Sequence, residues 1–150
     1  MGYNDVLPLS KVKVYLRIDE DFTETDNEIC TMRDAALRYI EKQTNHIMFA
    51  RDIDYYKTEL SNDITVYDYP INEVPEGKVE LKYTLKSKFV TDSITLNIGY
   101  ENPYDVPSEL IQAALEMIKV WYFEAEKQAN TTLIPENVKE IISIYKRFIA

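Results

Sequence analysis

The chain has 150 residues, 45% hydrophobic and 29% charged, with a formal net charge of −9. That length suits a single domain, 1–150, able to bury roughly 68–70% of its unfolded surface with no disulfide or metal to hold the core. The acidic balance argues against gripping DNA phosphates or anionic lipid, both of which need a basic face, and Cys30, the lone cysteine, rules out an internal disulfide.

The first residues, MGYNDVLPLS, have neither the basic start nor the apolar run of a signal peptide. No later apolar run approaches a membrane span. The next stretch, LSKVKVYLRID, reads two ways. Val12, Val14, Leu16 and Ile18 alternate with Lys11, Lys13, Tyr15 and Arg17, the period of a half-buried strand. Leu9, Val12 and Leu16 also fall at i, i+3 and i+7, one face of a short helix.

An acidic run, DEDFTETDNE, leads into a helix expected over 26–45, with a Thr25/Glu28 capping box at its start. Ile29, Ala36 and Ile40 make its apolar stripe, flanked by Met32 and Leu37. The acidic run does not suit calcium. Aligned from Asp19, Glu24 stands where the loop needs glycine and Cys30 where it needs a bidentate glutamate.

Between 52 and 100 the period changes to two. Val79, Leu81, Tyr83 and Leu85 form one alternating strand, and Ile94, Leu96, Ile98 and Tyr100 another. Further strands are expected at Asp52–Glu59 and Ile64–Tyr67, and a turn at VPEGKV with Gly77 in its last position. A helix over 106–128 follows, with Asp105 as its N-cap and Pro107 in its first turn. Ile111, Ala114, Leu115, Ile118, Trp121, Tyr122 and Ala125 form its apolar face. Pro135 opens a last helix, to 149. Strands grouped between helices, not alternating with them, predict an α+β fold: a helical bundle with an inserted antiparallel β region.

Catalytic chemistry is hard to find. His46 is the sole histidine, and its place just past a helix favours a capping role at the negative end of the dipole over catalysis. Cys30 and His46 are too few ligands for structural zinc. No phosphate-binding or dinucleotide glycine pattern is present. We therefore expect no enzyme, catalytic residue, metal or cofactor. Two features are less ordinary. Arg33 falls within the apolar stripe of its helix, where the expectation is a stem on the core edge with its head reaching solvent; the alternative is an ion pair within the fold or to a neighbouring subunit. Phe123 projects with Gln112, Glu116 and Lys119, away from the main apolar face, and Ile144 lies beyond the main stripe of the last helix. Apolar residues on a second side of a helix point to oligomerisation.

Taken in order, LPLSKVKVYLRID, DNEICTMRDAALRYIEKQTN with its paired Ala35 and Ala36, YPINEV, ITLNIGY, VPSELIQAALEMIKVWYFEAEKQ and IPENVKEIISIYKRF form a pattern of blocks. That pattern resembles the head–tail connector (adaptor) proteins of tailed bacteriophages, from about Leu7 to Phe148. The resemblance implies a short N-terminal helix over 9–17, with Leu9, Val12, Tyr15 and Leu16 inward and Val14 and Ile18 off that face. Lys11, Lys13 and Arg17 would then meet acidic neighbours, not phosphates. It also implies a virion protein of the neck, assembled in the host cytoplasm. A ring of copies, a dodecamer, would sit beneath the portal, extend the DNA channel and join head to tail. Its partners would be the portal, the tail or next neck ring, and genomic DNA that passes without specific binding; no membrane is implied. By the same resemblance Tyr145, Arg147 and Phe148 are portal-contact candidates. Arg33, Trp121, Tyr122, Phe123 and Ile144 are subunit-interface candidates. The rival readings are another neck component (head-completion, stopper or tail-terminator protein) and, less favoured, a DNA-handling regulatory protein.

Overall fold

The computed structural model describes residues 1–83, 85–126 and 134–146. The order is α1 (Tyr3–Val6), α2 (Leu9–Leu16), α3 (Asp26–Thr44), β1 (Arg51–Tyr56), β2 (Ile64–Val66), β3 (Ile71–Glu73), β4 (Glu80–Lys82), β5 (Ser87–Phe89), β6 (Ser93–Ile98), a 3₁₀ turn (Pro103–Asp105), α4 (Ser108–Glu126) and α5 (Glu136–Tyr145). The fold is α+β, with the strands inserted between α3 and α4. The expected residues 127–128 and 147–149 of the last two helices lie outside the described residues.

LSKVKVYLRID is a helix. Val12 and Leu16 are buried, Leu9 and Tyr15 pack against them, and Val14 is 77% exposed. Ile18, expected off that face, instead packs on the core just past the helix end. The strand-like alternation misplaces two residues: Val14 faces out, and Lys13 is itself buried. Its Nζ donates to the carbonyls of Glu20 at 3.1 Å and Phe22 at 2.6 Å, and pairs with the Asp26 carboxylate at 3.0 Å. One ammonium thus fixes the acidic loop from inside, and α2 closes on Arg17 in the left-handed region at φ 59°. Replacing Lys13 by Met keeps the stem and strands those acceptors. It should cost about 1–3 kcal/mol, the usual penalty for an unpaired buried polar group. Amide exchange should then accelerate between 19 and 26 and not in α4; unchanged protection there would refute this role.

Helix ends depart from expectation in two places. Thr25 makes no side-chain cap bond, so the Thr25/Glu28 box does not form; its backbone, at φ −105° and ψ 8°, is not in the extended conformation such a cap uses. Asp105 is not the N-cap of α4 but ends the 3₁₀ turn, which the Asn102 side chain caps by accepting from Tyr104 N at 3.0 Å. The Pro107 carbonyl takes the first amide protons of α4, from Leu110 at 3.0 Å and Ile111 at 3.3 Å.

Helix α4 packs on α3 and α5. Leu7, Val12, Ile29, Leu37, Ile40, Leu110, Met117 and Ile118 are fully buried between the helices. A second cluster belongs to the strands. Sheet β1-β6-β3 and sheet β2-β5-β4 are both antiparallel. They bury Ile64, Val66, Phe89, Ile94, Leu96 and Ile98 together with Ile47. Period-2 burial is clean in β6, but the Val79/Leu81/Tyr83 set is exposed. Gly77 takes φ +82° at the third position of a turn closed by Lys78 N to Pro75 O, not its last. No helix among the described residues is long and apolar enough to cross a membrane.

Candidate functional site

The chain leaves α3 through Asn45, in the left-handed region at φ 58°, and is at once laced between two other segments. Tyr69 N donates to Asn45 O and Ile47 N to Tyr69 O, both at 2.8 Å; Tyr100 N donates to Ile47 O at 3.1 Å and Ala50 N to Tyr100 O at 3.0 Å. This knot joins the helical layer to the sheets, and the ionisable groups with the largest departures from ordinary behaviour gather beside it.

Glu41 is its centre. The side chain continues the buried stripe of α3, after Leu37 and Ile40 and before Thr44, and is itself buried. Its carboxylate accepts the Tyr3 hydroxyl from α1 and the Met48 amide at 2.9 Å, and pairs with Arg51 of β1 at 3.0 Å. Arg51 also lies over the Phe49 ring, 4.6 Å from its centroid. Next to this pair Tyr55 donates to Asp68. Tyr3, Arg38, Glu41, Arg51 and Asp68 share the walls of an open cleft of about 430 Å³.

Burial, then the hydrogen bond and charge of Glu41, push the Tyr3 hydroxyl up to about 12. Burial, then Asp68, push Tyr55 up further. Burial also raises the Asp68 carboxyl, against the opposing pull of Tyr55 and Arg51. Burial alone would lower Arg51, but its bond to Glu41 and the attraction of that carboxylate raise it. Tyrosines held this firmly in their neutral form are poor bases and poor nucleophiles at neutral pH. The arrangement can clamp α1, α3 and β1; it offers no activated nucleophile. A group with a raised folded value stabilises the fold below its unfolded value and loses that contribution as pH climbs through the folded one. Stability should therefore begin to fall above the ordinary tyrosine value of 10.0 and continue towards 12. Urea midpoints measured between those limits should drop less in Tyr3→Phe than in the parent; equal slopes would refute the assignment.

His46 is not a helix cap. Its ring is buried, with Nδ1 2.8 Å from the Tyr100 hydroxyl and Tyr69 and Tyr145 edge-on against it. Arg33 does not reach solvent. Its guanidinium is buried, donating to Asn4 Oδ1 at 2.7 Å and Asp34 Oδ1 at 3.0 Å, so α1 covers it. Trp121 and Tyr122 pack at the core edge. Phe123 is 37% exposed and meets Tyr122 edge-on, and Ile144 is exposed. Tyr145 packs on the core and donates to Glu109 at 3.0 Å. Arg147 and Phe148 lie outside the described residues. The face expected to carry Phe123 outward is partly occupied: Tyr15 of α2 donates to Glu116, and Lys119 lies over the Tyr15 ring. Among the described residues no cluster of His, Cys, Asp or Glu could hold a metal ion.

Neither a protein-family model nor a curated protein matches the chain by sequence. The fold does match. It is similar to a chain in the neck of an empty GTA particle computed with C6 symmetry, at 15% identity and TM-score 0.73, covering 97% of this chain and 91% of that one. It is similar to a chain in the virion of a native gene transfer agent (GTA) particle, at 16% identity and TM-score 0.73 with the same coverage. It is also similar to a chain in the neck of a native GTA particle computed with C12 symmetry, at 14% identity and TM-score 0.67, again over 97% of this chain and 91% of that one. At such identity what is shared is the fold.

Proposed function

We propose that this chain is a structural, non-enzymatic subunit of the neck of a tailed-phage-like particle. Copies form a ring beneath the portal, continue the DNA channel and join head to tail. The observation that carries this reading is a whole-chain fold match to chains of GTA neck particles. Sixfold and twelvefold symmetry are both compatible with a ring of twelve copies, which supports the dodecamer. A net charge of −9 suits a conduit through which DNA slides without sticking, and it weighs against the DNA-handling alternative. The most perturbed groups beside the knot act as clamps, which suits a passive part.

Within that reading, Phe123 and Ile144 are subunit contacts, being apolar and exposed. Arg33 contributes indirectly, since Asn4 and Asp34 occupy it within the fold. Trp121 and Tyr122 back the same region, and Tyr145, Arg147 and Phe148 are the portal-facing end. Co-expression with the portal protein of the same particle should give, by native mass spectrometry, a complex carrying twelve copies of this chain. Absence of any complex would overturn the reading.

A further inference from the structure

The second sheet turns an unusual face outward. On its edge strand β4 and just beyond it, Val79, Leu81 and Tyr83 are exposed, at 73%, 47% and 53%. Leu81 stands opposite Lys88 in the β4–β5 register, and Lys86 and Lys88 lie over the Tyr83 ring at 5.7 and 5.8 Å. Lys86 and Lys88 thus border the apolar side chains, in a chain of net charge −9, while Lys82, opposite Ser87 in the register, lies on the other side of the pleat. Asp63 pairs with Lys88 at 3.8 Å, one carboxylate against the two ammoniums over Tyr83. Exposed apolar side chains ringed by lysine call for a partner that is acidic and carries an apolar knob.

One such surface is on the chain itself. The loop between α2 and α3 exposes Asp19, Glu20, Asp21 and Glu24 around Phe22, which is 41% exposed. From Asp19 to Glu24 it holds no basic residue; Arg17, which caps α2, precedes that stretch. It is also pre-set, because Lys13 grips its carbonyls at Glu20 and Phe22 from beneath. The loop sits at the start of α3, whereas the sheets follow its end. A helix of 19 residues separates its ends by about 28 Å at 1.5 Å per residue, which favours contact between copies over contact within one. We infer that the β4–β5 face of one copy docks on the Asp19–Glu24 loop of the next, a head-to-tail contact between unlike surfaces. Such contacts leave one surface of each kind open at every step and close into a ring when the rotation permits. This inference rests on the ring reading above and names the surfaces that build it.

The test uses full-length chains with Cys30 replaced by Ala. One carries Phe22→Cys and the other Leu81→Cys, mixed and treated with a short bis-maleimide. The contact predicts a covalent dimer in the mixture that exceeds either variant alone, and a ladder of higher species when both cysteines are on one chain. Lys86→Glu with Lys88→Glu on the Leu81→Cys chain should abolish the dimer, and Asp21→Lys with Glu24→Lys on its partner should restore it. No cross-link between these positions, or one indifferent to charge reversal, overturns the contact. A ring seen in the neck despite that result would keep the ring and discard these surfaces; no ring in the neck would discard the ring reading itself.

Discussion

Replacing Glu41 by alanine is expected to cost about 3–5 kcal/mol of folding stability, the range for removing one partner of a buried ion pair. The change strands three donors at once: the Tyr3 hydroxyl, the Met48 amide and the Arg51 guanidinium. Arg51 is partly exposed and can recover some hydration, but the Met48 amide is buried and cannot. Glu41→Gln keeps the shape and part of the hydrogen bonding while losing the charge, so it should fall between the parent and the alanine variant. Urea unfolding of the three proteins gives the order directly. A loss below about 1 kcal/mol for Glu41→Ala, the range of an exposed pair, would show that the clamp is unimportant.

Gly99→Ala should be comparably severe, for a different reason. Gly99 sits at φ +121°, and a Cβ there would lie 2.2 Å from the Phe49 carbonyl oxygen and 2.5 Å from its carbon. The obstacle is backbone, so no rotamer change relieves it. Phe49 is itself held in the knot, with Ala50 N bonded to Tyr100 O on one side and Gly99 N to Pro70 O on the other. Backbone strain of about 1–3 kcal/mol adds to overpacking of about 1–3 kcal/mol. Gly77→Ala is the control: its φ is +82°, but nothing lies within 4 Å of the added Cβ. Only the left-handed penalty of about 1–2 kcal/mol applies there. Thermal melts of the two variants should separate clearly, and equal losses would mean that the close approach at Gly99 is not a constraint.

Much of the helical layer was legible because its signals are local. The stripes of α3 and α4 follow from period 3.6, and the α+β class from grouping strands between helices. The opening stretch was ambiguous because Lys13 behaves as a core residue: its ammonium finds carbonyls and a carboxylate, so burial ignores its charge. Strands β3 and β5 show no period in three residues, whereas β2, equally short, is legible from its run of β-branched Ile64, Thr65 and Val66. The Val79/Leu81/Tyr83 alternation is real, yet its apolar side faces outward; periodicity marks a face without saying what covers it.

The clamp leaves one sign in the sequence. Glu41 sits at i+4 from Leu37 and one residue past Ile40, inside the stripe that buries both, and a carboxylate there demands partners. The same logic marks Arg33 in the same helix, but the sequence does not name its partners. Asn4 comes from α1, a single helical turn with too few residues to show a pattern. Tyr3 and Arg51 likewise reach Glu41 from elements distant in sequence. Side chains that meet only through tertiary packing leave no local spacing to read.

The central claim is that this chain builds a ring in a particle neck. It is tested most directly by imaging intact particles that contain the protein and reconstructing the neck without imposed symmetry. The account predicts twelve copies of this fold in one closed ring directly beneath the portal, around an open channel. Finding the chain outside the neck, or in the neck as anything other than a closed ring, would contradict it.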